Sequence, residues 1–244
     1  MAKRISVFNR KKINDDKILL DCLLNDESSF AVREAYLKLC TNIMYIPGEK
    51  KCKTIVVTSA IPGEGKDLLS ANLALTLANY AGNNKVLLID SDLRCSEISA
   101  TLSDNEIYRG LSEYLVGDDE EVYVSKNSKY GSLEVVLSGA HSSNPAALLS
   151  SKRLPEAIRR FEETYDYIII NVPPIEAVTD ALLYSPIVDG YIISTKANYS
   201  NINRVSDAID SIRDVNGKVL GVVLTSAKSN RSNCESCSYG NYKK

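Results

Sequence analysis

The sequence contains no tryptophan, three phenylalanines and a single histidine, His141. One imidazole excludes a histidine-rich zinc centre and leaves little material for His-based proton relays. No apolar run reaches the ~18 residues of a membrane span. No basic segment is followed by an apolar signal region either, so the expected location is the cytoplasm. Excess charge of one sign is also missing. The 29 Lys and Arg against 31 Asp and Glu leave a net charge of −2, without the basic footprint of a nucleic-acid binder. Six cysteines (Cys22, Cys40, Cys52, Cys95, Cys234, Cys237) are scattered along the chain and read as free thiols rather than a disulfide frame. Only Cys234 and Cys237 form a C-x-x-C, and one such pair without a second is thin support for metal.

At 44% hydrophobic and 25% charged, the 244 residues have the composition of a globular protein and the length of one α/β domain with flanking arms. Residues 1–50 read as a basic arm (Lys3, Arg4, Arg10, Lys11, Lys12) followed by helical periodicity over 14–45. The arm is either a solvated terminus or a surface for anionic lipid or an acidic partner. Pro47 and Gly48 break the pattern. Short apolar runs then recur at Thr54–Thr58, Val86–Ile89, Leu133–Leu137, Tyr167–Ile170, Gly190–Ser194 and Val219–Leu224, with helix-length segments between them. Strands alternating with helices predict a mainly parallel sheet covered by helices on both faces, a domain over 51–228. Residues 229–244 lose almost all aliphatic side chains and read as a flexible tail bearing Tyr239 and Tyr242.

The first strand runs into Ala60-Ile-Pro-Gly-Glu-Gly-Lys-Asp67, then a helix from Leu68 to Ala81. Strand, glycine loop, lysine and helix form the setting of a phosphate loop. Gly63 and Gly65 let backbone N–H groups turn toward an anion, the helix N-terminus adds partial positive charge, and Lys66 can reach the β and γ phosphates. The second strand ends in Asp90-Ser-Asp92-Leu-Arg94 and a later one in Asn171-Val-Pro-Pro174. Both deliver polar side chains to the same sheet edge, where hard oxygen donors would hold Mg²⁺.

These motifs together resemble the bacterial protein-tyrosine kinases of capsular and exopolysaccharide assembly. So do Glu34-Ala-Tyr36 with Thr41-Asn-Ile43, Gly110–Gly117, Asn144-Pro145 through Leu148–Ser151, and Thr179-Asp180-Ala181. The likeness spans roughly residues 30 to 226 and implies a P-loop NTPase fold, ATP and Mg²⁺ as cofactors, and autophosphorylation of C-terminal tyrosines. It also implies a membrane-anchored chain-length regulator as activator, which would hold the chain peripherally at the inner face of the membrane. Carried over, Lys66, Asp90, Asp92 and Arg94 are the catalytic candidates. Gly63, Glu64, Gly65, Lys66, Asp67 and Leu68 form the nucleotide loop, Asp67, Asp90, Asp92 and Asn171 the metal set, and Tyr239 and Tyr242 the phosphoacceptors.

The chain departs from that pattern in four places. Lys-Ser-Thr becomes Lys66-Asp67-Leu68, losing the hydroxyl that ligates Mg²⁺. The third-motif aspartate is Asn171. Two helix arginines that support ring assembly in the family are Leu37 and Cys40, which puts self-association by that contact in question. An asparagine that helps read the base is Thr225. Asp67 is either a replacement metal ligand or a competitor of the phosphates for Lys66. Unit charges about 4 Å apart at an effective dielectric of about 20 interact by roughly 4 kcal/mol, so nucleotide binding is expected to be weakened. Three readings follow: an autokinase, an inactive relative that docks the same membrane partner, and a partitioning-type ATPase. The last is disfavoured because Ile61 stands where those enzymes carry a signature lysine. His141 reads as an exposed loop histidine. Twelve of the 14 tyrosines precede residue 200, mostly within or beside expected elements, and read as structural.

Overall fold

All six of the expected strands line up as a parallel ladder, and its buried apolar residues divide between two separate layers. In this computed structural model the described residues are 22–227, apart from 26, 47–50, 80–83, 103–108, 127–130 and 141–143. The basic arm, residues 14–21 of the N-terminal periodicity, His141, Cys234, Cys237, Tyr239 and Tyr242 lie outside them.

The strands are β1 (Lys53–Ser59), β2 (Val86–Asp90), β3 (Ser125–Lys126), β4 (Leu133–Val136), β5 (Tyr167–Asn171), β6 (Gly190–Lys196) and β7 (Val219–Thr225). The helices are α1 (Phe30–Met44), α2 (Lys66–Asn79), α3 (Glu97–Leu102), α4 (Leu111–Val116), α5 (Pro145–Leu149), α6 (Arg153–Glu162) and α7 (Ile202–Asp214), with a 3₁₀ segment over Thr179–Ile187. Sheet order is β3-β4-β2-β5-β1-β6-β7. Every pair is parallel except β3 with β4.

Strand side chains alternate between the layers as the pleat requires. Val56, Leu87, Ile89, Ile168, Ile170, Tyr191 and Ile193 pack with α4, α5, α6, α7 and the 3₁₀ segment. Ile55, Val57, Leu88, Ile169 and Ile192 pack with α1, α2 and α3. Burial on both faces is why these runs are continuously apolar rather than alternating. α2 is buried from Leu69 to Ala78, so its periodicity is masked in sequence.

Three expectations change. Helical periodicity over 14–45 is realised, among the described residues, as helix only from Phe30. Before it, Asn72 of α2 accepts from Leu24 N at 2.8 Å and donates to Cys22 O at 3.2 Å, drawing those backbone groups out of any helix. Lys53 then closes the other end of α1, its Nζ donating to the carbonyls of Ile43, Met44 and Ile46 at 2.7–3.0 Å. The run Val219–Leu224 is an edge strand, with Val222 45% and Leu224 57% exposed, because β7 is the last in the order. The two-residue β3 carries no apolar signal.

Candidate functional site

β1, β5 and β2 are neighbours, and their C-terminal ends fall level: Val57 pairs with Asn171, and Asn171 with Asp90. Three polar strand ends therefore meet at one point of the edge, as the sequence order requires for a crevice in an α/β sheet.

The loop after β1 turns through Gly63 at φ +81° and Gly65 at φ +82°, left-handed values that favour glycine. Glu64 holds it in shape. Its carboxylate is 1% exposed, accepts from Ile61 N at 3.0 Å and also takes the Ser200 hydroxyl. Its backbone carbonyl accepts from Ser194 Oγ at 2.7 Å and Thr225 Oγ1 at 2.9 Å. Tyr199 closes over the loop, donating to Pro62 O at 3.1 Å. The Glu64 carboxylate is thus spent inside the loop. The Leu68 side chain is half-buried and packs against the core. Thr225 uses its hydroxyl on Glu64 O and Thr195 O.

Lys66 opens α2, and its ammonium is held at 2.7 Å from Asp67 Oδ1 and 2.8 Å from Asp92 Oδ2. Burial pulls this ammonium down, but the two carboxylates together push it above the ordinary lysine value. Asn171 donates from Nδ2 to Asp67 Oδ1 at 2.9 Å and to Asp90 Oδ1 at 3.1 Å, while its Oδ1 accepts from Ser70 Oγ at 3.2 Å. Asp90 Oδ2 accepts from Ser99 N at 2.9 Å and Ser99 Oγ at 2.6 Å. Burial raises the Asp90 carboxyl to about 6; Ser99 opposes that shift, Asp92 and Asp67 reinforce it, and Asn171 opposes it. Asp92 Oδ1 accepts from the backbone N–H of Cys95 at 2.8 Å and of Arg94 at 3.3 Å, which fixes the loop after β2.

Arg94 turns to a partner of its own. Nε and one terminal nitrogen grip Asp180 at 2.8 and 3.1 Å, a bidentate pair with Asp180 1% exposed. Arg94 is thereby tied to the 3₁₀ segment, which is also joined to Ser91 through the Tyr184 hydroxyl.

Gly63, Glu64, Gly65, Lys66, Asp67, Asp90, Asp92 and Asn171 therefore come together as the sequence placed them. Sequence reasoning missed Ser70, Ser99, Ser200 and the role of Asp180. The serines carry no local signal, since each acts through a fold-dependent contact, whereas Asp180 was visible in its Thr-Asp-Ala motif. Among the described residues no group of three or more His, Cys, Asp or Glu is arranged to hold a metal ion. Asp67, Asp90 and Asp92 do supply the all-oxygen chemistry that suits Mg²⁺, but their oxygens are turned to Lys66, Asn171, Ser99 and backbone N–H groups.

Comparison with known proteins shows the family of the chain. Residues 52–221 match the AAA domain family. The tyrosine-protein kinase CpsD of Streptococcus agalactiae is 35% identical over 211 residues, 86% of this chain and 90% of that protein. The kinase domain of the Escherichia coli tyrosine kinase ETK superposes with a TM-score of 0.73 at 27% identity, covering 81% of this chain and 78% of that one. A cobyrinic acid a,c-diamide synthase from Mycobacterium smegmatis, with bound ATP analogue and magnesium, shares the fold at a TM-score of 0.61 and 18% identity, covering 71% of this chain and 74% of that one. With its phosphate loop, its strand-end aspartates and this degree of identity, the chain belongs to the bacterial protein-tyrosine kinase family, built on a P-loop NTPase fold.

Proposed function

We propose that the chain is a cytoplasmic, tyrosine-kinase-like P-loop protein of capsular or exopolysaccharide biosynthesis, with weakened Mg-ATP binding and slow autophosphorylation of Tyr239 and Tyr242. The observation that carries the weakening is the 2.7 Å contact of Lys66 with Asp67. A phosphate entering the loop must compete with an internal carboxylate for its lysine, within the first turn of a helix whose dipole also favours that carboxylate. Family membership and the preformed loop support nucleotide binding. The ATP analogue and magnesium of the cobyrinic acid synthase support the same pair of cofactors on this fold.

In this reading Mg-ATP supplies a transferable phosphoryl group and the cation that screens it. The loop N–H groups of Gly63 to Leu68 and the Lys66 ammonium orient the phosphates. Asp67, Asp90 and Asp92 would hold the cation, with Asn171 beside them, and a strand-end carboxylate would receive the proton of the incoming tyrosine hydroxyl. Arg94, fixed by Asp180, adds positive charge at the rim. A membrane-anchored chain-length regulator is the proposed activator and would hold the protein at the inner face of the membrane.

Incubation with Mg-ATP followed by intact-mass measurement tests this. Isolated protein is expected to gain little phosphate, and a robust ladder of about 80 Da steps on the tail would sink the weakening. Complete absence of phosphate even with the activator favours the second reading, a docking module without turnover, which the Lys66–Asp67 contact also supports.

A further inference from the structure

Asn171 ends β5 where three buried carboxylates and one lysine meet, and it is 0% exposed. Both hydrogens of its amide are used, one on Asp67 Oδ1 at 2.9 Å and one on Asp90 Oδ1 at 3.1 Å, and its oxygen shares the Ser70 hydroxyl, at 3.2 Å, with Lys66 O at 2.7 Å. Only a neutral donor of two hydrogen bonds fits between two carboxylates in this way. A carboxylate at 171 accepts but does not donate, and would face Asp67 and Asp90 as a third like charge with one ammonium to share. Asp67, for its part, is held on one side by Lys66 Nζ at 2.7 Å and on the other by this amide.

We propose that Asp67 and Asn171 are a single exchanged pair. The carboxylate facing the loop lysine is carried by the first turn of α2, and Asn171 is the positioning residue that holds it there and keeps it apart from Asp90. In sequence the two departures stand 104 positions apart and count as separate losses. In the fold they are one compensated change, which moves a carboxylate from the strand end to the helix start and keeps the number around Lys66. The ATP arm of the test rests on the nucleotide-binding reading above; the stability arm does not.

Asn171→Asp, Asp67→Ser and the double variant, each as the full chain, are melted without nucleotide and titrated with ATP by calorimetry, in Mg²⁺ and in EDTA. Asn171→Asp is expected to melt about 10 °C below the parent, the scale of an uncompensated buried charge in a domain this size. The double variant recovers at least half of that loss. In Mg²⁺ the ATP dissociation constant rises about tenfold in Asn171→Asp and falls below the parent's in the double variant. Melting shifts that add, leaving the double variant below Asn171→Asp, overturn the pair. Parent-like melting and ATP binding of the nearly isosteric Asn171→Asp overturn the positioning role. Should Asn171→Asp yield no folded protein, folding of the double variant supports the pair and failure of both overturns it. Rescue of melting with no ATP bound by any variant leaves the pair standing and removes the nucleotide reading instead.

Discussion

Asp90 is the residue on which the site's charge state turns. Its carboxyl is raised from an ordinary 3.8 to about 6, first by burial. A carboxylate whose folded value lies above its unfolded one opposes folding when ionised. Its unfavourable contribution is absent below about pH 4, grows through about pH 6 and is complete above it. Comparing Asp90→Asn with the parent isolates this effect. The parent should gain about 1–3 kcal/mol relative to the variant when the pH is lowered from 7.5 to 4.5, read from urea unfolding at each pH. A pH-independent difference would show that Asp90 is not raised. At this scale the sequence was informative where chemistry is local. Lys66, Gly63 and Gly65 fall in one loop and Asp90 and Asp92 in one strand end, so their types and spacing already announce a phosphate site. It said nothing of Ser99, nine residues beyond Asp90, whose hydroxyl becomes the partner of that carboxylate only because α3 folds back over β2.

Among the elements, α2 carries most of the connections. It starts the phosphate loop's helix, fills the core beneath β5 and β2, and reaches the N-terminal segment through Asn72. That side chain is 2% exposed and bonds Leu24 N, Cys22 O and the Tyr36 hydroxyl. Asn72→Ala should cost about 1–3 kcal/mol, since it strands buried polar groups. Amide exchange at Leu24 should accelerate while exchange in β5 follows only the global loss of stability. Equal acceleration in both would mean that the segment before α1 is not anchored by this residue. The strands were legible because runs such as Tyr167–Ile170 are apolar throughout, yet their bounds shifted. The ladder extends to Asn171 and Lys196, where backbone pairing rather than side-chain polarity ends a strand. α1 was overextended for the converse reason. Apolar spacing does not register a side-chain amide that captures the preceding backbone.

At the scale of the whole molecule, the two apolar layers separate the four cysteines among the described residues into two kinds. Burial pushes the Cys40 and Cys52 thiols up to about 12, opposed in part by hydrogen bonds, whereas Cys22 and Cys95 are exposed. Thiol alkylation at pH 8 followed by peptide mapping should therefore label Cys22 and Cys95 in the native protein. Cys40 and Cys52 should be labelled only as the protein unfolds. Native labelling of Cys40 would show that α1 opens from the sheet independently. Cys40 itself is 0% exposed and packs in the core layer with Ile43 of α1 and the helix α2.

The sequence by itself determined the α/β class, the parallel sheet, the phosphate loop and the identity of the strand-end acids. Those follow from short-range patterns, namely apolar runs, glycine spacing and a lysine at a helix start. Tertiary structure alone decided what each charged group faces. It set Asp67 on Lys66 and on Asn171, turned Arg94 to Asp180 and spent the Glu64 carboxylate inside its own loop. A hydrogen bond depends on a distance of about 3 Å between atoms, and for Asp67 and Asn171 that distance exists only once β5 has paired beside β1 and α2 has packed across both.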